Sequence, residues 1–177
     1  MSLRAGEAGR PDPAGGVAAD AGDERDQYLT FGLGGEVFAA SVQSVREVLD
    51  LQPVSRLANA PPALLGVIEV RGAGVPVVDL RHKLGLPRGE EATEHSRIVV
   101  LELEHGGRPL VLGAVTDAVY EVVQLEAGGI EPAPEFGQRW DSGFMRGLAR
   151  RNDRFVTVLE LGRVFGAEEF DLGRPGF

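Results

Sequence analysis

The sequence contains no cysteine among its 177 residues, and it has only one tryptophan and one lysine. The absence of cysteine excludes thiolate catalysis, cysteine-bound zinc and disulfide bonds, and it is typical of a protein from a reducing compartment. No apolar run approaches the roughly 20 residues that a membrane-spanning helix needs, and residues 1–21 lack the apolar core of a signal peptide. We therefore expect a cytoplasmic protein that does not insert into a membrane.

Positive charge is also scarce, because 18 Lys and Arg face 27 Asp and Glu, for a formal net charge of -9. Nucleic acids and anionic lipids are bound largely through clustered basic side chains. A nucleic-acid-binding barrel would also need aromatic side chains interleaved with basic ones, and the sequence has no such pattern. We expect no nucleic-acid partner.

Residues that could carry chemistry are dispersed along the chain. The three histidines, His82, His95 and His105, lack the spacing of helical zinc ligands. The glycine-rich segments lack the strand-to-helix context of phosphate loops and are better explained as hairpin turns. A small β-barrel enzyme would need a convergent acid, base or nucleophile, and only scattered carboxylates are present. We expect no catalytic residue, no cofactor and no metal.

Three regions differ in composition. Residues 1–26 hold three Arg and six Asp or Glu, with almost no large apolar side chain, so we expect a disordered tail. Residues 27–167 alternate short apolar runs with Gly, Pro, Asp and Asn, which predicts a mainly β domain with a few short helices. Residues 168–177 form a short C-terminal tail.

The apolar runs predict nine strands and three helical segments. The predicted strands are Tyr28–Leu33, Val37–Ala40, Val67–Arg71, Val75–Leu80, Arg97–Leu103, Leu110–Val115, Val119–Val123, Phe144–Ala149 and Phe155–Leu159. The predicted helical segments are Val42–Leu49, a turn at Arg81–Leu84, and Leu161–Phe165. Asn152-Asp153 reads as a hairpin turn, and Pro76 predicts an edge strand because proline cannot donate to a ladder.

The chain also repeats itself. Residues 66–85 align without a gap on residues 147–166, and the alignment matches both terminal glycines and several apolar positions. Upstream, Gly34-Gly35 followed by Glu47 echoes Gly106-Gly107 followed by Glu121. Chance similarity between valine-rich segments is the alternative. The repeat predicts two similar small β-barrels.

The stretch Arg71-Gly-Ala-Gly-Val-Pro-Val-Val-Asp-Leu-Arg81 resembles the hallmark of the CheW family of chemotaxis coupling proteins. Tyr28–Val48, Glu131–Phe136 and Phe144–Phe165 resemble further segments of that family in the same order, so the resemblance covers about residues 27–166. It implies two interlocked five-stranded β-barrels around one continuous core. It also implies an adaptor without an active site, which bridges the cytoplasmic tip of a methyl-accepting chemoreceptor to the regulatory domain of a CheA-type histidine kinase in a membrane-associated array.

The resemblance also implies a receptor-binding groove between the two barrels. Its predicted residues are Val45, Glu47, Val48, Gly66, Arg71, Gly113, Val119 and Val122. Glu69 departs from the Asn that the family commonly has there, and it adds negative charge near the groove. An adaptor of a chemosensory-like pathway that controls surface motility, development or gene expression would use the same surfaces.

Other charged and aromatic residues have structural explanations. Asp79 and Glu160 each precede a predicted helix, where an acidic side chain caps the helix or interacts with its dipole. Four arginines surround one hairpin and could form a docking patch, although a solvated hairpin is the simpler interpretation: Arg146, Arg150, Arg151 and Arg154. Phe136 and Trp140 flank a proline-rich loop, and we expect them to staple that loop to the core rather than to anchor a partner.

Overall fold

A computed structural model describes residues 26–87, 89, 91–134 and 143–165. The predicted N-terminal and C-terminal tails lie almost entirely outside the described residues, as do Phe136 and Trp140. Within the described ranges, none of the helices combines the length and apolar character needed to cross a membrane.

The described chain consists of ten strands and two short α-helices, with 3-10 turns at Val42–Ser44 and Ala127–Gly129. The strands are β1 (Gln27–Leu33), β2 (Glu36–Ser41), β3 (Val45–Asp50), β4 (Leu64–Val70), β5 (Ala73–Val78), β6 (Arg97–His105), β7 (Arg108–Thr116), β8 (Ala118–Gln124), β9 (Met145–Arg151) and β10 (Arg154–Leu159). The helices are α1 (Leu80–Lys83) and α2 (Leu161–Val164). The mainly β prediction is confirmed, including all nine predicted strands.

The strands form two five-stranded sheets with the same internal order. The β1 sheet runs β8-β1-β2-β10-β9, and the β6 sheet runs β3-β6-β7-β5-β4. Strands β1 to β5 of the first half correspond in turn to β6 to β10 of the second half. Each half therefore places its first two strands in one sheet and its last three in the other. The strands that follow these crossovers, β3 and β8, are here called the exchanged strands, because each pairs with the first strand of the other half. This exchange interlocks the two halves, as predicted.

The backbone conformation of the turns is repeated in the two halves, as the sequence is. Gly34 and Gly35 have φ of 60° and 85°, and Gly106 and Gly107 have φ of 62° and 80°, at corresponding hairpin turns. The β9–β10 turn at Asn152-Asp153 has positive φ at both residues, which confirms that prediction. The repeat in the sequence is thus a repeat in the fold.

The sheets are not closed barrels. In the strand order, β3 and β4 are the edges of the β6 sheet, and β8 and β9 are the edges of the β1 sheet. Among the described residues, the backbone pairing between each pair of edges is a single isolated bridge: Ser55, after β3, pairs with Val67 of β4, and Glu131, after β8, pairs with Leu148 of β9. The predicted barrels are therefore open sheets whose edges meet at one bridge.

The interior is divided into three apolar clusters, whereas the family resemblance implied one continuous core. The largest cluster includes Phe31 and Phe38 from the β1 sheet and Leu101 and Leu112 from the β6 sheet, so it lies between the sheets. Two smaller clusters belong to one sheet each, the first containing Val156 and the second Val77. The shared cluster packs the two sheets together, and each of the others packs residues of a single sheet.

Two local predictions are wrong. Val42–Leu49 is not a helix, because only Val42–Ser44 forms a 3-10 turn before β3 begins. The spacing of Val45, Val48 and Leu49 fits a helix, but pairing with the buried strand β6 overrides that local pattern. Pro76 does not lie in an edge strand, since β5 is between β7 and β4. It is tolerated because the β5–β7 ladder begins one residue later, at Val77.

Candidate functional site

The predicted groove valines lie on the two exchanged strands, β3 and β8. Val45 and Val119 occupy corresponding positions, and both pack partly buried against the shared core cluster. Val48 and Val122 also correspond, and their side chains are 40% and 45% exposed. Large apolar side chains left this exposed are available for a partner. Each half thus contributes one valine that packs on the core and one valine that is exposed.

Glu47 and Arg71 are brought together, as the family resemblance implied. The Arg71 guanidinium donates to a carboxylate oxygen of Glu47 at 2.9 Å. The Arg71 side chain is 72% exposed, whereas Glu47 is 22% exposed, so the pair holds one carboxylate inward and leaves most of the guanidinium free for other contacts. The pair lines a cavity of about 260 Å³ whose walls also include Val75, Val100 and Val111.

The same ion pair spans the two edges of the β6 sheet. Glu47 belongs to β3, and Arg71 follows directly after β4. A similar pair, Glu121 of β8 with Arg151 of β9, spans the edges of the β1 sheet at 3.6 Å, although Arg151 lies one position before the residue that corresponds to Arg71. Sequence reasoning missed the second pair, although the echo of Glu47 in Glu121 was a signal for it.

Arg71 also has an unusual backbone. Its φ is 52°, a left-handed conformation that arginine seldom adopts, and the following Gly72 has φ of 85°. The corresponding residue of the repeat is Asn152, with φ of 49°, and asparagine tolerates this conformation well. The first hairpin therefore keeps an arginine where the turn itself favours asparagine.

Gly66 and Gly113, two further predicted groove residues, are buried and do not line a surface. A Cβ on Gly66 would lie 2.2 Å from the Ser55 carbonyl oxygen, because the isolated bridge passes over it. A Cβ on Gly113 would lie 2.9 Å from a methyl group of Ile98. These glycines allow the neighbouring backbone and side chains to pack closely.

The end of the hallmark strand is structural. The Asp79 carboxylate accepts the backbone N–H groups of Arg81 and His82 at 3.1 and 3.4 Å, which confirms a helix cap. Glu160 occupies the corresponding N-cap of α2 but makes no side-chain cap. It pairs with Arg146 at 3.5 Å instead, so the predicted capping role holds for Asp79 only.

The arginines of the β9–β10 hairpin mostly have partners within the chain. Arg146 donates to the Tyr28 hydroxyl at 2.6 Å, and the Arg150 guanidinium lies 5.0 Å from the centre of the Phe155 ring. Together with the Arg151–Glu121 pair, these contacts support the solvated-hairpin interpretation. In the described part of the chain, no group of three or more His, Asp and Glu is arranged to hold a metal ion.

Comparison with known proteins agrees with this architecture. Residues 27–169 match the family model of the CheW-like domain. The chain is 30% identical over 143 residues to chemotaxis protein CheW of Rhizobium meliloti, which covers 81% of this chain and 89% of that protein. It is 33% identical over 146 residues to chemotaxis protein CheW of Klebsiella aerogenes, covering 82% and 85%.

A solved structure with the same fold is that of the scaffolding protein TtCheW from Thermoanaerobacter tengcongensis. The TM-score is 0.69 at 26% sequence identity, over 82% of this chain and 95% of the other. The interlocked sheets, the hallmark hairpin and the family match lead to one conclusion: the chain belongs to the CheW-like family.

Proposed function

We propose that this chain is the non-catalytic adaptor of a chemosensory array, which couples methyl-accepting chemoreceptors to a CheA-type histidine kinase. It would bind the cytoplasmic tip of the receptor and the regulatory domain of the kinase, in the cytoplasm beneath the membrane-anchored receptors. Family membership carries the proposal. A pathway with another output is not favoured, because the relatives above are named chemotaxis proteins.

The residues proposed to contact the receptor are Val48, Val122, Glu47 and Arg71. A helical receptor tip would bury the exposed valines, which contributes about 25 cal/mol for each Å² of apolar area removed from water. The exposed Arg71 guanidinium would donate to a receptor carbonyl or carboxylate while Glu47 holds its other edge. Gly66 and Gly113 would act indirectly, by permitting close packing of the neighbouring backbone and side chains.

The proposal predicts that each single contact is modest in strength. Two exposed valines and one ion pair make a small contact compared with a standard protein interface. Many receptor, adaptor and kinase copies held in one array raise the effective concentration of each partner, so avidity supplies the remaining stability.

The test is direct binding of purified chain to a receptor-tip fragment and, separately, to the kinase regulatory domain. Arg71→Glu should lower receptor affinity at least tenfold, because it removes the donor and places a like charge beside Glu47. Arg154→Glu is the matched control, since it makes the same charge change in the corresponding hairpin. Unchanged receptor affinity in Arg71→Glu would refute the site, and failure of the wild-type chain to bind either partner would refute the function.

A further inference from the structure

The exchanged strand β8 carries a bulge that a side chain holds in place. Leu29 pairs with Val122 and Phe31 with Val119, so Tyr120 and Glu121 together face Thr30. The Thr30 hydroxyl donates to the Glu121 carbonyl at 2.9 Å and accepts the Glu121 N–H at 3.1 Å. Thr30 is 4% exposed, so this hydroxyl is a buried and doubly used hydrogen-bonding group.

The start of β8 is held by a second polar contact. Asp117, the residue before β8, accepts the Arg81 guanidinium at 2.5 Å and the Gly34 N–H at 2.8 Å on the same carboxylate oxygen. The Asp117 N–H donates in turn to the Gly32 carbonyl at 2.8 Å. Asp117 therefore ties helix α1 and the β1–β2 turn at the point where the chain passes from one sheet to the other.

The Arg81 side chain is largely enclosed, whereas its partner Asp117 is 46% exposed. The Arg81 side chain is 16% exposed, and a Cβ on Gly89 would lie 2.3 Å from its Nε atom. A Cβ on Gly34 would lie 3.3 Å from one of its terminal nitrogens. Glycines on two sides thus leave the space that the guanidinium fills.

The other half forms the corresponding strand, β3, after a 3-10 turn at Val42–Ser44 and without these contacts. The bulge of β3 lies opposite Val100, which corresponds to Thr30 and has no hydroxyl. The residues that correspond to Asp117 and Arg81 are Gln43 and Gly162, which cannot form an ion pair. β3 has other polar contacts, such as the Glu47–Arg71 pair, but it forms without counterparts of these three residues. The shared fold therefore does not account for the anchors of β8.

We propose that Thr30, Arg81 and Asp117, here named the β8 anchors, are positioning residues that fix β8 so that Val119 and Val122 meet the receptor. A one-residue slip of β8 would turn each of these side chains to the opposite face. The anchors hold the strand at its start and at its bulge, on either side of Val119. This inference rests on the proposed function, because it assigns a purpose to the groove.

The decisive variant is Thr30→Val, which installs the residue that the other half uses and changes shape little. Thr116→Val is the matched control, because Thr116 is 1% exposed and donates to the Arg97 carbonyl at 3.2 Å in the β6–β7 ladder. We expect Thr30→Val to weaken receptor-tip binding about tenfold and Thr116→Val to leave it unchanged. Equal effects of the two variants on affinity, or no effect of either, would overturn the inference.

Arg81 variants test the second anchor. Arg81→Gln removes the ion pair and should weaken receptor binding, whereas Arg81→Lys keeps a positive charge within reach of Asp117 and should retain most of the affinity. Binding of the kinase regulatory domain should be the same in both variants. An equal loss of both activities in Arg81→Gln and Arg81→Lys would indicate a general structural role and overturn the positioning role.

Amide hydrogen exchange separates failure of this inference from failure of the proposed function. Thr30→Val should speed exchange at Val119 and Glu121 at least tenfold without changing exchange at Leu112 of β7. Unchanged exchange in β8 refutes the anchors even if the wild-type chain binds the receptor tip. If the wild-type chain binds no receptor tip but Thr30→Val still speeds exchange in β8, the proposed function is refuted. The anchors would then stabilise β8 without positioning it for a receptor.

Discussion

Arg71→Asn should separate what the first hairpin needs for folding from what it needs for a partner. Arg71 has φ of 52°, a conformation that costs an ordinary L-residue about 1–2 kcal/mol and costs asparagine less. The substitution also removes the ion pair with Glu47, whose value is about 0–1 kcal/mol because the Arg71 side chain is 72% exposed. The free energy of unfolding should therefore stay the same or rise by up to about 1 kcal/mol.

Receptor binding should change in the opposite direction. Asparagine cannot reach Glu47 and offers no forked cationic donor, so affinity for the receptor tip should fall at least tenfold, about 1.4 kcal/mol. Urea unfolding followed by circular dichroism gives the stability, and an unchanged m-value would show that the same surface is exposed. Isothermal titration calorimetry gives the affinity.

The reverse substitution in the repeat supplies the control. Asn152→Arg places an arginine at a φ of 49°, and it should lower the free energy of unfolding by about 1 kcal/mol while leaving receptor binding unchanged. If Arg71→Asn destabilised the chain by more than about 1 kcal/mol, the reasoning from the backbone would be refuted. If it left receptor affinity intact, the functional explanation for arginine would be refuted.

Two further predictions concern stability. Asp79→Ala should lower the free energy of unfolding by about 1 kcal/mol because it removes a helix cap. Glu160→Ala should lower it by less than half of that amount, since the Glu160 side chain makes no cap. Urea unfolding of the two variants tests the difference. Gly66→Ala should lower the free energy of unfolding by more than about 2 kcal/mol, because the new Cβ would lie 2.2 Å from the Ser55 carbonyl oxygen. A thermal unfolding midpoint equal to that of the wild-type chain would contradict this prediction.

The fold was predictable wherever local pattern and tertiary structure agree. Val-rich runs between glycine turns predicted nine of the ten strands, and the internal echo predicted the duplicated framework. β3 was missed because Val45, Val48 and Leu49 have helical spacing, and its strand conformation depends on the distant partner β6. The exchange of β3 and β8 leaves no local mark in the sequence, since it depends on which strand each one pairs with after the crossover.

The candidate site was predictable only in part. Resemblance to the family predicted that Glu47 and Arg71 lie close together, and the structure confirms their contact. It could not separate Gly66 and Gly113, which are buried, from residues that reach the surface. Asp117 was not predicted as a functional residue, because a single aspartate after a strand matches no motif. Its contact with Arg81 forms only where the chain crosses between the sheets.

The two halves of this chain act as internal controls for each other. Gly66 and Gly147 correspond, and a Cβ on either would meet a carbonyl oxygen at 2.2 or 2.3 Å, so packing alone explains why both halves keep glycine. Arg71 and Asn152 also correspond and share a left-handed backbone, yet they differ in side chain. Where the backbone requirement is the same and the residues differ, the conformation of the turn does not account for the difference. Arginine at position 71 is therefore better explained by a partner than by the turn that holds it.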